Sequence, residues 1–295
     1  MIARAIEVRK TDATLGAVVR GVRLRDLAEE EWRAIEDAFH EHAVLIFPDQ
    51  QLSRGEQASF GRRFGEFDSL VARTGTVPIS NLQPDGSLRD ARDPIMGILR
   101  GNEGWHTDSS YMPLAAKASI LGAEVVPTHG GETEWADMRA AYAALVPESK
   151  RRIENLAAHH SLVHSQAKIG EAAPGTPSYG YEGHEAPLRP LEKRHPVTGR
   201  RSLFIGRHAY GVPGLAADES RRLLDELLEF ACQPPRVLGH RWQAGDVALW
   251  DNRCVLHRAR PWNPAEARVM HHTRIAGDSA TEAGLGEMHA WSRNH

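Results

Sequence analysis

The sequence predicts a mixed fold, mainly β with helical insertions, in which strands dominate the second half of the chain. Two late segments, GDVALWDN at 245–252 and RVMHHTRIA at 268–276, have the length and apolar content of strands, and ASILGAEVV at 118–126 is a third. The 295 residues are enough to build a complete hydrophobic core. Because no repeat, low-complexity tract or evident linker interrupts the chain, we expect a single domain over 1–295.

Helices are predicted from apolar residues at helical spacing and from capping residues. Apolar side chains recur at helical intervals over 27–43, and leucines form one stripe over 218–231. Ser53 and Glu56 have the spacing of a capping box that opens a helix, and Asp137 is a suitable N-cap for another. Helical insertions are therefore expected between the strands.

The segment around 164–200 is rich in Gly, Pro, Ser and His, and we expect a loop-rich insertion there. A long loop without regular structure of its own usually serves a functional site or moves. This insertion is therefore expected close to the site.

Composition excludes several functional classes. A net charge of −3, with acidic and basic residues interspersed, gives no reason to expect nucleic acid or a membrane as partner. The two cysteines, Cys232 and Cys254, are too few for a disulfide framework or a cysteine-based zinc site.

Residues 1–19 carry charges inside their apolar stretch, unlike a signal peptide, and no apolar run approaches the ~18 residues that span a bilayer. We expect a cytoplasmic protein that acts on a small molecule and forms homo-oligomers.

Three residues have the chemistry of a metal site. His106 and Asp108 are two positions apart in W-H-T-D, so on a strand both side chains would point to one face. His257 follows the predicted strand at 245–252, where a side chain can be presented at the rim of a barrel. Two imidazoles and one carboxylate are the set that non-haem Fe(II) prefers, with positions left for a co-substrate and O2. Zinc stays possible, although the His-Glu-x-x-His motif of many zinc hydrolases is absent from the sequence.

Arg268 and Thr133 are candidates to bind a carboxylate beside that metal. Arg268 lies eleven residues after His257, on the next predicted strand, and its planar guanidinium matches a carboxylate held by two hydrogen bonds. Thr133, in G-G-E-T, can add a hydroxyl donor to the same carboxylate.

Together these residues resemble the taurine/2,4-dichlorophenoxyacetate dioxygenase family of Fe(II)/2-oxoglutarate enzymes. The resemblance covers nearly the whole chain and rests on W-H-T-D at 105–108, G-G-E-T at 130–133, W-D-N-R at 250–253 and R-V-M-H at 268–271. It implies a double-stranded β-helix (jelly roll) with helical insertions. The implied iron ligands are His106, Asp108 and His257, and the implied contacts to the distal carboxylate of 2-oxoglutarate are Thr133 and Arg268.

Further segments are similar to the aryloxyalkanoate branch of this family, especially to (S)-2-phenoxypropionate dioxygenases. They are S-Y-M-P at 110–113, A-D-M-R-A-A-Y at 136–142, H-S-L-V-H-S-Q-A-K at 160–168, I-G-R-H-A at 205–209, A-C-Q-P-P-R at 231–236 and W-D-N-R-C-V-L-H-R-A at 250–259. The resemblance implies hydroxylation of a small organic acid, an aryloxyalkanoate that is cleaved to a phenol and an oxo acid. Succinate and CO2 would be the co-products, and the chemistry would take place at the iron, with no separate acid or base.

The position that binds the substrate anion differs from the taurine-type pattern. Those enzymes carry an arginine four residues after the 2-oxoglutarate arginine, whereas this chain has His272 there and an arginine at Arg274. A sulfonate is therefore less favoured than a carboxylate. The candidates to bind a substrate carboxylate are Asn102, Arg207, His208 and Arg274.

Three alternatives stay open at this point. The same chemistry could act on an alkyl sulfonate or an amino acid. A zinc-dependent hydrolase on a jelly roll would be active with zinc and indifferent to 2-oxoglutarate. A binding or sensor protein with an inert site would bind metal without turnover.

Overall fold

The computed structural model describes residues 6–69, 71–171 and 185–286. Its strands are β1 (Glu7–Lys10), β2 (Ala17–Arg20), β3 (Val44–Phe47), β4 (Val77–Ser80), β5 (Ala116–Val125), β6 (Thr133–Asp137), β7 (Ala157–His160), β8 (Leu188–Pro190), β9 (Glu192–Arg194), β10 (Arg201–Leu203), β11 (Ala209–Tyr210), β12 (Val237–His240), β13 (Val247–Asp251), β14 (Val255–Ala259) and β15 (Val269–Ala276). The α-helices are α1 (Glu29–His42), α2 (Arg54–Arg62), α3 (Pro94–Gly101), α4 (Met138–Ala144), α5 (Pro147–Ile153), α6 (Leu162–Lys168), α7 (Ala217–Ala231) and α8 (Ser279–Glu282).

Two sheets form the centre of the fold, and their strands pair antiparallel except for β2 and β3, which are parallel. The larger has seven strands in the order β1-β2-β3-β13-β5-β15-β4, and the smaller has three in the order β12-β6-β14. Side chains from both sheets meet in one buried cluster, which includes Trp135 from β6, Trp250 from β13 and Met270 from β15. The sheets therefore pack face to face, and the predicted jelly roll is confirmed.

Helices cover the outer faces of both sheets. On the larger sheet, Trp32, Ile35 and Phe39 of α1 pack in one cluster with Leu45 of β3 and Leu249 of β13. This apolar face explains why the predicted helix at 27–43 forms. The predicted capping box is also present, since the Ser53 hydroxyl accepts from the Glu56 N–H and the Glu56 carboxylate accepts from the Ser53 N–H.

The smaller sheet is covered by α4 and α7. Leu223, Leu224 and Leu227 of α7 form the predicted apolar stripe and pack against Met138 of α4. Asp137 caps α4 as expected, because its carboxylate accepts from the first backbone N–H groups of that helix. Among the helices that the described ranges contain, none is long and apolar enough to cross a membrane.

The segment around 164–200 has more regular structure than the sequence predicts. Its start lies in α6, where the Ser161 hydroxyl accepts from the His164 N–H as an N-cap. Further on, β8 pairs with β7, and β9 pairs with β10. These elements could not be predicted from composition. A helix cap depends on one residue, and a short strand forms only when it pairs with a segment that is distant in the sequence. Residues 172–184 of the predicted insertion lie outside the described residues.

Candidate metal centre and its cavity

The two candidate histidine ligands are joined by backbone pairing. His106 and His257 form an antiparallel bridge, in which the His106 N–H donates to the His257 carbonyl at 3.0 Å and the His257 N–H donates back at 2.7 Å. Residues paired in this way project their side chains to the same face. The two imidazole centroids accordingly lie 4.1 Å apart.

The local structure around these ligands differs from the expected strands. His106 is paired only as a bridge residue, and Asp108 begins a turn rather than continuing a strand. The turn follows from Ser109, whose φ of 55° is left-handed and incompatible with an extended strand. His257 lies within β14 itself, since the turn after Asp251 is short enough for a new strand to begin at once.

The three candidate ligands nevertheless converge. His106, Asp108 and His257 are buried, and each offers a ligand atom within 4.8 Å of the other two. Nε2 of His257 lies 3.6 Å from Oδ2 of Asp108. Nδ1 of His106 donates to the Gly104 carbonyl at 2.8 Å, which leaves the lone pair of its Nε2 available. The donor set therefore fits a divalent metal ion.

Burial keeps both imidazoles neutral at neutral pH. Desolvation lowers the pKa of His106 to about 4 and the pKa of His257 well below its ordinary value. For Asp108, burial alone would raise the pKa, but electrostatic interactions with His272, His257 and Arg274 outweigh the burial and hold that pKa well below its usual range. The centre thus offers two unprotonated imidazoles and one carboxylate, which is the protonation state that metal binding requires.

A second buried cluster contains metal-ligand residue types, but both nitrogens of its imidazole already form hydrogen bonds with other described residues. His195, Asp251 and Cys254 also offer atoms within 4.8 Å of one another. However, Nδ1 of His195 accepts from two backbone N–H groups of the following turn, and its Nε2 donates to Asp251 at 2.9 Å. Arg253 donates to both oxygens of the same carboxylate. Because both nitrogens of the His195 imidazole are hydrogen-bonded, we interpret this cluster as a structural ion-pair network.

Arg268 is a buried cation placed beside the candidate centre. It immediately precedes β15, is only 3% exposed, and donates from one amino group to the Gly131 carbonyl at 3.2 Å. Within the described ranges it forms no ion pair, and its Nε has no hydrogen-bond partner. Desolvation lowers its pKa to about 10. Because a buried charge without a counter-charge is costly, this guanidinium fits an anionic ligand.

Thr133 can donate a hydrogen bond toward the same ligand. Its Oγ1 accepts from the indole N–H of Trp242 at 3.0 Å, so the hydroxyl proton is left to be donated. Gly131 leaves room for the neighbouring guanidinium, because a Cβ at that position would lie 3.1 Å from Nε of Arg268. Its φ of 71° is also one that glycine adopts readily.

One cavity is lined by every site residue that the sequence predicts. These are Asn102, His106, Asp108, Thr133, Arg207, His208, His257, Arg268 and Arg274. The sequence did not assign Tyr111, Leu162 or Gln166, which line the same cavity. They lie in the segments 110–113 and 160–168 that carry the family resemblance, but their convergence is a tertiary contact that no spacing rule could reveal.

The two arginines among the candidate substrate residues differ in whether a carboxylate lies beside them. Arg207 donates to the Ser165 carbonyl at 3.0 Å and to Oε1 of Gln166 at 2.6 Å, and burial lowers its pKa to about 10. Nε of Arg274, in contrast, lies 3.6 Å from Oδ1 of Asp108. Within the described part of the chain, Arg207 has no carboxylate partner, whereas Arg274 faces one.

Comparisons with known proteins identify relatives over nearly the whole chain. A family model described as "Taurine catabolism dioxygenase TauD, TfdA family" matches residues 7–275. The chain is 53% identical over 287 residues to the (S)-phenoxypropionate/alpha-ketoglutarate-dioxygenase of Sphingobium herbicidovorans, covering 95% of this chain and 98% of that protein. It is 47% identical over 284 residues to a protein of the same name from Delftia acidovorans, covering 94% and 97%. The crystal structure of AAD-2 in complex with Mn(II) and N-oxalylglycine superposes with a TM-score of 0.86 at 36% identity, covering 95% and 99%.

The buried imidazoles predict a loss of stability in acid. In the unfolded chain, His106 binds a proton near its ordinary pKa of 6.5, whereas the folded chain resists protonation down to about pH 4. The unfolded state therefore binds more protons in this interval, and the free energy of unfolding of the metal-free chain should decrease by about 3 kcal/mol from this residue alone. Denaturant titrations at fixed pH with a chelator present measure this decrease. His106→Asn should show a smaller decrease between pH 6.5 and 4, and equal decreases in both proteins would contradict the assignment.

Proposed function

The chain belongs to the TauD, TfdA family of dioxygenases, and we propose that it uses Fe(II), 2-oxoglutarate and O2 to hydroxylate an aryloxyalkanoate. The hydroxylated acid would break down to a phenol and an oxo acid, with succinate and CO2 as co-products. One observation carries the proposal: His106, Asp108 and His257 converge in a cavity that also contains the buried guanidinium of Arg268.

The roles of these residues follow from their chemistry. His106, Asp108 and His257 would hold the iron, whose reaction with 2-oxoglutarate and O2 supplies the oxidising power that no side chain has. Arg268 would bind the distal carboxylate of 2-oxoglutarate with two parallel N–H donors, and Thr133 would donate its hydroxyl proton to the same group. Both anchors are buried, so they fix the orientation of the co-substrate and exclude water from it.

Arg207 is the residue we propose for the substrate carboxylate. Its guanidinium is held in place by Gln166 and Ser165 and, among the described residues, has no carboxylate of its own. Asn102 and His208 line the same cavity and can add neutral hydrogen bonds, whereas the charge of Arg274 is shared with Asp108.

An aromatic acid fits the other walls of the cavity. Ile98, Tyr111 and Leu162 line it and offer apolar contact surface to a ring. The names of the relatives at 53% and 47% identity refer to (S)-phenoxypropionate, which supports an aryloxypropionate rather than an alkyl sulfonate or an amino acid as substrate.

Removing the carboxylate ligand tests the proposed chemistry. We expect Asp108→Ala to lower substrate-dependent succinate formation by more than about 100-fold, because even changes around metal ligands typically cost about 10–100-fold. Asp218→Ala, at a side chain that is 82% exposed, is the matched control and should match the unchanged chain. Succinate is quantified with Fe(II), 2-oxoglutarate and an aryloxypropionate present. Full activity of Asp108→Ala, or turnover with zinc in the absence of 2-oxoglutarate, would refute the proposal.

Two arginine variants should separate the two anionic ligands. Arg268→Met should raise the KM for 2-oxoglutarate by about 30-fold or more, because losing a buried charge-assisted contact costs about 2–5 kcal/mol. Arg207→Met should instead raise the KM for the aryloxy acid while the KM for 2-oxoglutarate changes little. Arg221→Met, at an arginine that is 63% exposed, serves as control. If both variants raised the same KM, the division of roles between the two arginines would be wrong.

A further inference from the structure

We propose that Ser119 and Asn252 are positioning residues that fix the carboxylate of Asp108 through a hydrogen-bond chain with one direction. The inference rests on the proposed function, because it takes Asp108 as a metal ligand. All three residues are buried, with exposed fractions of 0%, 1% and 5% for Ser119, Asn252 and Asp108. In the sequence, Ser119 is an ordinary residue of a predicted strand, and Asn252 is one letter of W-D-N-R.

The neighbours of Asn252 allow only one orientation of its amide. The indole N–H of Trp250 lies 2.9 Å from Oδ1 of Asn252, and the backbone N–H of Asp108 lies 3.3 Å from the same atom. Both groups can only donate, so the atom that they contact must be the amide oxygen. The other end is therefore the NH2 group, which donates to Oγ of Ser119 at 2.8 Å.

The direction of the chain then determines what Ser119 does. Its hydroxyl accepts from Asn252 and has one proton left, which it donates to Oδ2 of Asp108 at 2.7 Å. The position of Ser119 is set by the sheet, because β5 places it opposite Trp250 of β13 on one side and Arg274 of β15 on the other. Donation thus runs from Trp250 through Asn252 and Ser119 to the carboxylate.

This chain matters because a carboxylate rotates easily about its last torsion. The Ser119 hydroxyl donates to Oδ2 of Asp108, while Nε of Arg274 lies 3.6 Å from Oδ1 of the same carboxylate. With contacts at both oxygens, the carboxylate plane is held in one orientation before a metal arrives. A ligand ordered in advance loses less entropy on binding, and such supporting contacts raise metal affinity.

Trp250 connects the carboxylate to the imidazole side of the centre. Its ring lies 4.7 Å from the ring of His257 and stacks on His272 at 5.7 Å with an interplanar angle of 17°. The same indole that begins the hydrogen-bond chain therefore also packs against a candidate metal ligand. Trp250 and Asn252, the first and third residues of W-D-N-R, therefore both help to position the candidate metal ligands.

The test compares Mn(II) binding by the full chain and its Ser119→Ala variant. Mn(II) alone is titrated, and the free ion is quantified by electron paramagnetic resonance. Ser119→Ala should weaken binding by about 10–100-fold. Ser220→Ala is the matched control, because Ser220 is equally buried and its hydroxyl, among the residues that the structure describes, bonds the backbone of Val212 alone. Ser220→Ala should bind Mn(II) like the unchanged chain, and the thermal unfolding midpoints of both variants should be similar.

Asn252→Asp provides an independent variant of nearly the same shape. The ionised side chain keeps the oxygen that accepts from Trp250 and Asp108, and its second oxygen can then only accept, so it draws the Ser119 proton away from Asp108. The added negative charge would by itself strengthen the binding of a cation. Weaker Mn(II) binding would therefore show that the Asp108 carboxylate is no longer held in place. Because both changes break one chain, the double variant should lose little more affinity than the weaker-binding single variant.

The outcomes separate this inference from the function on which it rests. Unchanged Mn(II) affinity in Ser119→Ala, or fully additive losses in the double variant, would overturn the positioning role while leaving the proposed function intact. Failure of the unchanged chain to bind one Mn(II) would overturn the proposed function and this inference with it.

Discussion

The reciprocal backbone hydrogen bonds between His106 and His257 are the constraint on which the centre depends. These two residues lie far apart in the sequence, and His257 belongs to β14 of the smaller sheet. Backbone groups pair whatever their side chains are, so the sheet sets the spacing of the two imidazoles before any metal binds. Asp108 joins them only because the chain turns directly after the bridge, at Ser109.

Positive charge exceeds negative charge among the described residues that line the cavity. Arg207, Arg268 and Arg274 line it together with one carboxylate, Asp108, among the described lining residues. Burying such an excess of positive charge is costly unless anions enter to balance it. A dianionic co-substrate and a monoanionic organic acid would supply that balance, and a divalent metal would strengthen the attraction for both. The net positive charge of the cavity and the proposed chemistry are therefore consistent with the same set of ligands.

Much of this arrangement could be predicted from the sequence, because periodicity and ordered motifs are local. Helices α1 and α7 follow from apolar spacing, and the candidate ligand set follows from two motifs, W-H-T-D at 105–108 and W-D-N-R with His257, in the right order. Other parts could not be predicted. The turn at Asp108 depends on one left-handed residue, and the contributions of Tyr111 and Gln166 to the cavity depend on distant segments meeting. Ser119 shows the limit most clearly, since only its neighbours across the sheet distinguish it from any other buried strand residue.

Anomalous X-ray diffraction at the iron absorption edge, from crystals of the full chain grown with Fe(II) without oxygen, would locate the metal itself. We expect one peak, about 2 Å from the Nε2 atoms of His106 and His257 and from a carboxylate oxygen of Asp108. The cluster of His195, Asp251 and Cys254 serves as an internal comparison, because both nitrogens of its imidazole are already hydrogen-bonded. A peak at that cluster, or none beside His106, would show that His106, Asp108 and His257 do not form the metal centre.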